Sequence, residues 1–355
     1  MKYTKFFTST LLLWNKTENK RQMPWKGEKD PYKIWVSEII LQQTRVEQGT
    51  DYYNRFIRHF PNVKSLATAP EKKVYKLWEG LGYYTRCRNL IETAKYIHHN
   101  LDGTFPEKYE DILSLRGVGN YTASAIASFA FNQPYAVLDG NVFRVLSRFF
   151  GVELSINTSE GKSFYRSLSQ LLLDKKNPAV YNQTIMDFGA VVCKHALPLC
   201  AECVLRKRCF AFRNNKVGEL PVNIKVNKQK ARFFNYIIAE YKNKFYIHKR
   251  IEKDIWQNLY EFILIETKSP AKEEDVFAHE KFVSFFGSTN FKIKVISKQS
   301  SQKLTHQVIH GQFFYISLSK ILKSNETYFW ATKEEINLLP FPKLITTYFR
   351  DKNYL

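Results

Sequence analysis

The sequence predicts a multidomain protein, with an all-α N-terminal domain followed by an α+β C-terminal domain. Over residues 1–213 apolar residues recur at helical spacing, as in Ile34–Gln43 and Val142–Phe150, and strand-like alternation is absent. Residues 214–230 are polar and basic with almost no hydrophobic period, which is typical of a linker. Residues 231–355 contain aromatic and β-branched runs that favour strands. A length of 355 residues is sufficient for two such domains.

Individual elements follow from the same periodicities. Further helices in the N-terminal domain are predicted at Val74–Trp78, Leu90–Ile97 and Ala123–Ala130. In the C-terminal domain, strands are predicted at Phe233–Glu240, Lys244–His248 and Phe313–Leu318, and a helix at Lys272–Phe286.

The chain is strongly basic, with a formal net charge of +21, and both sides of residue 226 carry an excess of lysine and arginine. A basic surface on both domains favours a polyanionic partner, of which nucleic acid is the simplest. The alternative is that the charge serves solubility alone. No apolar run is long enough to cross a bilayer, and residues 1–14 resemble a signal peptide only faintly. We therefore expect a cytoplasmic protein with no membrane partner.

Four of the five cysteines are close together in the chain, with the spacing C-x6-C-x2-C-x5-C: Cys193, Cys200, Cys203 and Cys209. Thiolates are soft ligands, and four of them bind either zinc or an iron–sulfur cluster. The usual zinc pattern has two C-x2-C pairs, whereas this chain has one, which favours a [4Fe–4S] cluster. Only Cys87 lies elsewhere, so a disulfide framework is not expected.

A turn with two glycines, Gly117-Val118-Gly119, joins two predicted helices within residues 109–129. The glycines allow close backbone approach, and Val118 fits between the helices. The backbone N–H groups at the start of the second helix make an anion site, so this helix–hairpin–helix predicts a phosphate contact that ignores base sequence. An ordinary helix–helix turn is the alternative.

These features, followed by Leu138–Val142 and the four cysteines, resemble the helix–hairpin–helix DNA glycosylases that carry an iron–sulfur cluster. Within that superfamily the chain resembles the adenine DNA glycosylases, which remove adenine mispaired with 8-oxoguanine or guanine. The segments that carry the resemblance are Met23–Trp25, Asp30–Tyr32, Trp35–Glu38, Leu41–Val46, Gly80–Tyr84, Arg88–Leu90 and Met186–Ala190. The C-terminal domain resembles the Nudix-like domain of these enzymes, which reads 8-oxoguanine, at Asp254–Phe262 and Leu304–His306. It lacks the R-E-x-x-E-E metal-binding helix of true Nudix hydrolases.

Two carboxylates are candidates for the chemistry of N-glycosidic cleavage, which needs a proton for the leaving base and negative charge beside the sugar. Glu38 lies on an otherwise apolar helix, where desolvation would raise its pKa as a general acid requires. The resemblance implies that Glu38 protonates adenine and that Asp139 stabilises the oxocarbenium-like sugar, with Asn141 fixing that geometry. Without the resemblance, the alternative interpretation is that Glu38 is an ordinary exposed helical residue and that Asp139 is only an N-cap.

Tyr121 occupies the position at which lyase-active relatives have a lysine, and it has no amine to attack the sugar. The resemblance therefore implies a monofunctional enzyme in which Tyr121 supports Asp139.

Base flipping leaves a gap in the duplex, and the resemblance implies which side chains fill it or contact the lesion. These are Leu41, Gln42, Gln43, Thr44, Tyr83, Thr305 and His306. Further polar or phosphate contacts are implied for Arg21, Lys26, Arg45 and Arg88. The basic run 206–208, inside the cysteine loop 193–209, is expected to meet the DNA backbone or else to be a solvated loop. The chain departs from the family pattern with Lys26 for Arg, Arg116 for Pro, Leu304 for Phe and Thr305 for Ser.

The sequence thus predicts a monomeric, monofunctional adenine DNA glycosylase that acts on double-stranded DNA containing A:8-oxoguanine or A:G. One alternative is a thymine-mismatch or oxidised-pyrimidine glycosylase of the same superfamily. The other is a non-catalytic iron–sulfur protein that binds DNA.

Overall fold

The computed structural model describes residues 3–222, 229–287, 289–325 and 327–351, so residues 223–228 of the predicted linker lie outside the described part. The chain divides into two compact units. One comprises Met1–Thr68 and Arg88–Lys225, and the other comprises Ala69–Cys87 and Val226–Leu355. The second unit therefore includes a segment from within the predicted helical domain.

The chain up to residue 213 is helical, as the apolar periodicity predicts. The α-helices are α1 (Thr4–Thr17), α2 (Pro31–Leu41), α3 (Val46–His59), α4 (Val63–Ala67), α5 (Glu71–Trp78), α6 (Tyr84–Asn100), α7 (Tyr109–Ser114), α8 (Asn120–Phe131), α9 (Gly140–Phe150), α10 (Ser159–Leu172), α11 (Pro178–Val191) and α12 (Phe210–Arg213). A short 3-10 helix spans Arg206–Arg208. In the described residues, no helix is both long enough and apolar enough to cross a membrane.

Side-chain caps set the starts of the two helices that bear the candidate carboxylates. Asp30 accepts a hydrogen bond from the backbone N–H of Tyr32, and Pro31 occupies the first turn of α2. Asp139 accepts from the N–H of Val142 at 2.8 Å and so begins α9. The predicted N-cap role of Asp139 is therefore confirmed.

The core of the first unit forms where α9 packs against α11 and where α2 packs against α8. The small side chains of Ala123, Ser124, Ala125 and Ala127 are buried, which allows α2 to approach α8 closely. Trp14 of α1 meets Phe188 of α11 edge to face, with ring centroids 5.0 Å apart. Glycine at position 189 lets α9 approach, because a Cβ there would lie 2.6 Å from the Cβ of Asn141.

A mixed β-sheet organises the second unit. Its strands are β1 (Lys230–Tyr241), β2 (Lys244–Lys249), β3 (Tyr260–Glu261), β4 (Ile263–Thr267), β5 (Phe291–Ile296), β6 (Ser300–Lys303), β7 (Gln307–Leu318) and β8 (Tyr328–Thr332). Strand β1 runs parallel to β7, and the other pairings are antiparallel. The helices are α13 (Glu273–Phe277), α14 (Glu280–Phe286), α15 (Lys333–Asn337) and α16 (Lys343–Asp351).

Several element boundaries differ from the sequence predictions. The single helix predicted at 272–286 is two helices, because His279 leaves the helical conformation and accepts from the N–H of Lys281 to cap α14. Helix α2 ends at Leu41, two residues before the predicted end at Gln43. Lys230, predicted to lie in the linker, begins β1 and pairs with Gln307 of β7.

Candidate active site

A cavity of about 700 Å³ in the first unit brings the predicted catalytic residues together. Glu38 of α2, Tyr121 of α8, and Asp139 and Asn141 at the start of α9 all line it. These residues are up to 103 positions apart in the chain. Packing of α2 against α8 and of α9 against α11 is what places them around one space.

Glu38 is a buried carboxyl, only 5% exposed. The pKa of Glu38 is raised to about 7: burial is the main cause, a hydrogen bond from the Tyr121 hydroxyl opposes the rise, and the nearby negative charge of Asp139 adds to it. A carboxyl with a pKa near 7 is protonated to a useful extent at neutral pH. Glu38 therefore has the protonation behaviour that general acid catalysis requires.

Asp139 is held at both carboxyl oxygens. Its Oδ1 accepts from the N–H of Val142 at 2.8 Å, and its Oδ2 accepts from Asn141 Nδ2 at 2.7 Å. Burial raises the pKa of Asp139, while these hydrogen bonds oppose the rise. The same side chain thus caps a helix and presents a fixed carboxylate to the cavity.

Arg144 connects this carboxylate region to the cysteine loop. Its guanidinium donates to Asn141 Oδ1 at 2.8 Å, to the carbonyl of Gly189 at 2.7 Å and to the carbonyl of Cys193 at 2.7 Å. The sequence analysis did not single out Arg144. An arginine on the apolar α9, 8% exposed, is the signal that could have identified it.

A second cluster of charges lies in the cavity wall. Arg21 and Lys26, both predicted DNA contacts, line the cavity, and each makes a 2.9 Å ion pair with Asp187 of α11. The Asp187 side chain is fully buried. The sequence analysis included Asp187 in the segment Met186–Ala190 but assigned it no role. An acidic residue among apolar neighbours is a signal of a buried ion pair, and it could have identified Asp187.

The chain segment that follows α2 forms the rim of the cavity. Leu41, Gln42, Gln43 and Thr44 all line it. Gln43 has a φ of 55°, and the Thr44 N–H donates to the carbonyl of Leu41 at 3.1 Å, so the chain turns sharply here. Arg45 precedes α3 and Arg88 lies on α6, and neither belongs to the cavity lining.

The hairpin between α7 and α8 has the predicted backbone character. Gly117 has a φ of 78°, and Val118 is buried. Helix α6 supports the turn, because Thr93 Oγ1 donates to the carbonyl of Arg116 at 2.8 Å. Arg116 Nη1 pairs with Glu92 at 2.7 Å. No described side chain caps the first turn of α8, which starts after Gly119, so its N–H groups suit an anion.

The four clustered cysteines, all half-buried, surround a single small cavity of about 30 Å³: Cys193, Cys200, Cys203 and Cys209. Arg148 lies beside it, with Nη1 3.6 Å from the sulfur of Cys193. No set of three or more His, Cys, Asp or Glu side chains in the described ranges is placed to hold a single metal ion. The donor set, four thiols that line one small cavity, nevertheless fits a four-thiolate cluster in its chemistry.

The basic run in the cysteine loop is only partly available for DNA. Arg206 Nη1 donates to the carbonyl of Ala201 at 2.8 Å, and the Arg208 guanidinium lies 4.0 Å from the ring centre of Phe6. Lys207 is exposed.

In the second unit, two predicted lesion contacts meet although they are 222 positions apart. The Tyr83 hydroxyl lies 2.9 Å from Thr305 Oγ1, and both residues are exposed. The Arg86 guanidinium lies 5.2 Å from the Tyr83 ring centre. Thr305 and His306 form the turn between β6 and β7, where the His306 carbonyl accepts from the N–H of Lys230 at 3.0 Å.

Comparisons with known proteins agree with these two units. Residues 36–167 match the HhH-GPD superfamily of base excision DNA repair proteins, and residues 235–351 match the NUDIX domain. An adenine DNA glycosylase of Buchnera aphidicola subsp. Baizongia pistaciae is 33% identical over 351 residues, which cover 97% of this chain and 95% of that protein. The adenine DNA glycosylase of Mus musculus is 40% identical over 223 residues, which cover 60% of this chain and 43% of that protein.

Two solved structures share the helical fold. A thermostable thymine-DNA glycosylase aligns with a TM-score of 0.55 and 29% identity, covering 60% of this chain and 98% of that one. An endonuclease III in a non-covalent DNA complex aligns with a TM-score of 0.52 and 18% identity, covering 61% of this chain and 99% of that one. At 18% identity the second match supports the fold alone.

Proposed function

The chain belongs to the adenine DNA glycosylase family, and from this premise we propose that its substrate is adenine opposite 8-oxoguanine or guanine in double-stranded DNA. It is a base excision repair enzyme that hydrolyses the N-glycosidic bond of adenine. The single observation that best supports the chemical part of the proposal is Glu38, a buried carboxyl with a pKa of about 7 beside Asp139 in one cavity.

In the proposed mechanism Glu38 gives its proton to the leaving adenine, and the electron pair of the glycosidic bond departs with the base. Positive charge then develops on the sugar, and the Asp139 carboxylate stabilises it. Water adds to the anomeric carbon, its proton passes to the Glu38 carboxylate, and an abasic site remains. Asn141 holds Asp139 in place through the 2.7 Å hydrogen bond.

Tyr121 supports the proposal of a monofunctional enzyme. Burial raises the pKa of its hydroxyl well above the usual value, so Tyr121 remains a hydrogen-bond donor to Glu38. A phenol that stays protonated cannot replace the lysine amine that forms a covalent bond with the sugar in lyases. Excision without strand cleavage is the expected outcome.

Recognition of the opposite base is proposed for the second unit. The hydrogen bond between Tyr83 and Thr305 supports it, because it fixes a wedge residue beside the turn that contains His306. Thr305 keeps the hydroxyl of the family serine, whereas Leu304 loses the aromatic contact. From the sequence we propose two domains, 1–213 and 231–355, joined by a linker at 214–230. In the structure, residues 69–87 belong to the same compact unit as the C-terminal residues.

Phosphate binding is proposed for the hairpin Gly117–Gly119 and for Lys207. The uncapped start of α8 and the exposed lysine support this role. A monomeric state and a cytoplasmic location stay predictions from the sequence.

A [4Fe–4S] cluster is proposed at Cys193, Cys200, Cys203 and Cys209. Their position around one small cavity supports four-thiolate ligation, and the group would cross-link the loop 193–209. Iron, acid-labile sulfide and zinc should be measured on protein purified without oxygen. About four irons and four sulfides per chain are expected, whereas one zinc and no sulfide would contradict the proposal.

The substrate proposal is tested by single-turnover excision on duplexes that contain A:8-oxoguanine, A:G, T:G or thymine glycol, each with and without alkali. Alkali-dependent cleavage at A opposite 8-oxoguanine or G alone is expected. Cleavage at T:G would favour the activity named for the thymine-DNA glycosylase that shares the fold. Cleavage without alkali would exclude a monofunctional enzyme, and binding without cleavage would favour the non-catalytic alternative.

A further inference from the structure

Asp187 is a fully buried carboxylate that accepts four hydrogen bonds in the wall of the active-site cavity. Its Oδ1 accepts from Arg21 Nη1 and from Gln183 Nε2, each at 2.9 Å. Its Oδ2 accepts from Lys26 Nζ and from Asn19 Nδ2, each at 2.9 Å. Arg21, Lys26 and Gln183 line the cavity, whereas Asp187 itself does not.

The charges of this cluster explain why Asp187 can be buried and why an excess of positive charge remains. Taking a carboxylate out of water is unfavourable unless it is paired, and Asp187 is paired with two cations. One carboxylate against two cations leaves the cluster of Arg21, Lys26 and Asp187 with a net positive charge. Lys26 uses two of its three N–H groups, one on Asp187 and one on the carbonyl of Arg21 at 2.7 Å. Among the described residues the third N–H has no acceptor, so it can reach a ligand in the cavity.

We propose that Asp187 is the positioning residue of the base pocket, and that it acts through Arg21 and Lys26. The inference rests on the proposed function, since it assumes that a flipped nucleotide enters this cavity. A lysine is a compact charge on a flexible four-carbon stem, so without an anchor it would sample many positions. Asp187 holds both cations before the nucleotide arrives, which removes the cost of ordering them in the reaction. Asp187 touches no reacting atom.

A double-mutant cycle on the intact chain tests this role. Single-turnover kinetics on an A:8-oxoguanine duplex give the excision rate constant at saturating DNA separately from the dissociation constant. We expect Asp187→Asn to lower that rate constant by about tenfold or more, because 1 Å of misplacement is enough for such losses. The dissociation constant should change less than about threefold, because phosphate contacts elsewhere supply most of the affinity. Asp102→Asn replaces an exposed aspartate of the same unit and is the matched control.

The coupling separates positioning from a merely structural role. If Asp187 acts through Lys26, the double variant Asp187→Asn/Lys26→Met should be no slower than the slower single variant. The inference would be overturned if the effects of the two single substitutions multiplied in the double variant. It would also be overturned if Asp187→Asn had the wild-type excision rate constant. If Asp187→Asn does not fold, the cycle of Arg21→Met with Lys26→Met replaces it. Coupled losses then support a shared anchor, and independent losses refute it. A wild-type chain that excises no adenine would instead refute the proposed function.

Discussion

Glu38 shows how one side chain acquires its chemistry from its surroundings. The α2 residues around it are buried from Ile34 to Ile40, so its carboxyl is largely removed from water. Desolvation penalises the charged form, and the proximity of Asp139 adds repulsion, so the pKa of Glu38 is raised to about 7. This environment costs stability at high pH and supplies a proton donor at neutral pH.

Replacing Glu38 by glutamine should stabilise the protein in a pH-dependent way. Between pH 4.5 and about 7 the unfolded carboxyl ionises while the folded one stays protonated, so wild-type stability falls as the pH rises through this window. Glutamine has no such proton. We expect Glu38→Gln to gain about 3 kcal/mol over wild type at pH 8, and little at pH 4, in urea unfolding. Glu107→Gln, at an exposed position, is the control. A gain that does not depend on pH would contradict this account.

The excision rate should itself depend on pH. A general acid with a pKa of about 7 loses its proton above that pH, so the single-turnover rate constant should fall by about tenfold per unit at high pH. At low pH the rate should also fall, because Asp139 has a raised pKa and becomes neutral. The two limbs belong to the coupled pair. A rate constant that stays level from pH 6 to pH 9 would exclude Glu38 as the acid.

At the scale of elements, the contact between α9 and α11 positions the site. Gly189 of α11 faces Asn141 at the start of α9, and its carbonyl accepts from Arg144. A methyl group at position 189 would lie 2.6 Å from the Asn141 Cβ and 2.9 Å from its backbone oxygen. Both distances are too short, so the helices would have to separate. The hydrogen bond from Asn141 to Asp139 depends on this close approach.

Gly189→Ala should therefore affect both stability and activity. We expect a loss of about 1–3 kcal/mol in the free energy of unfolding, as overpacking generally causes. The excision rate constant should fall by about tenfold or more, because the displacement of Asn141 also displaces the Asp139 carboxylate that it holds. Gly218→Ala is the matched control, since a Cβ there meets no atom within 4 Å. A Gly189→Ala protein with wild-type stability would show that α9 and α11 adjust without strain.

At the scale of the whole molecule, the second unit is not continuous in sequence. Helix α5 belongs to it, and three hydrogen bonds tie this helix region to the C-terminal chain. Tyr75 Oη accepts from Asn258 at 2.9 Å, and Lys76 Nζ donates to the carbonyl of Leu339 at 2.9 Å. Glu79 Oε1 accepts from the N–H of Phe341 at 2.8 Å.

A fragment of residues 226–355 should consequently be less stable than the complete second unit. Without residues 69–87 it lacks the three hydrogen bonds and the buried side chains of Val74, Tyr75 and Trp78. We expect a lower urea midpoint, or aggregation, for this fragment than for one that carries residues 69–87 through a glycine–serine linker. Equal midpoints would show that the segment contributes nothing to the unit.

Much of the fold was predictable because its signals are local. Helical spacing predicted the region of α2, and the aspartate and glycine before Val142 predicted the start of α9. The break between α13 and α14 was missed, since His279 acts as a cap without a strong sequence signal. The chemistry of the site was predicted mainly from the family resemblance. Without that resemblance the sequence favoured an exposed helical position for Glu38, whereas the structure buries it.

By itself the sequence determined the two classes of structure, the basic charge and the spacing of the four cysteines. These depend on residues close together in the chain, whose geometry short helices and turns already dictate. Only the tertiary structure decided that Asp187 is paired with Arg21 and Lys26, and that Tyr83 meets Thr305. Partners more than 150 residues apart are chosen by packing and by the cost of leaving a buried charge unpaired, which no local pattern encodes.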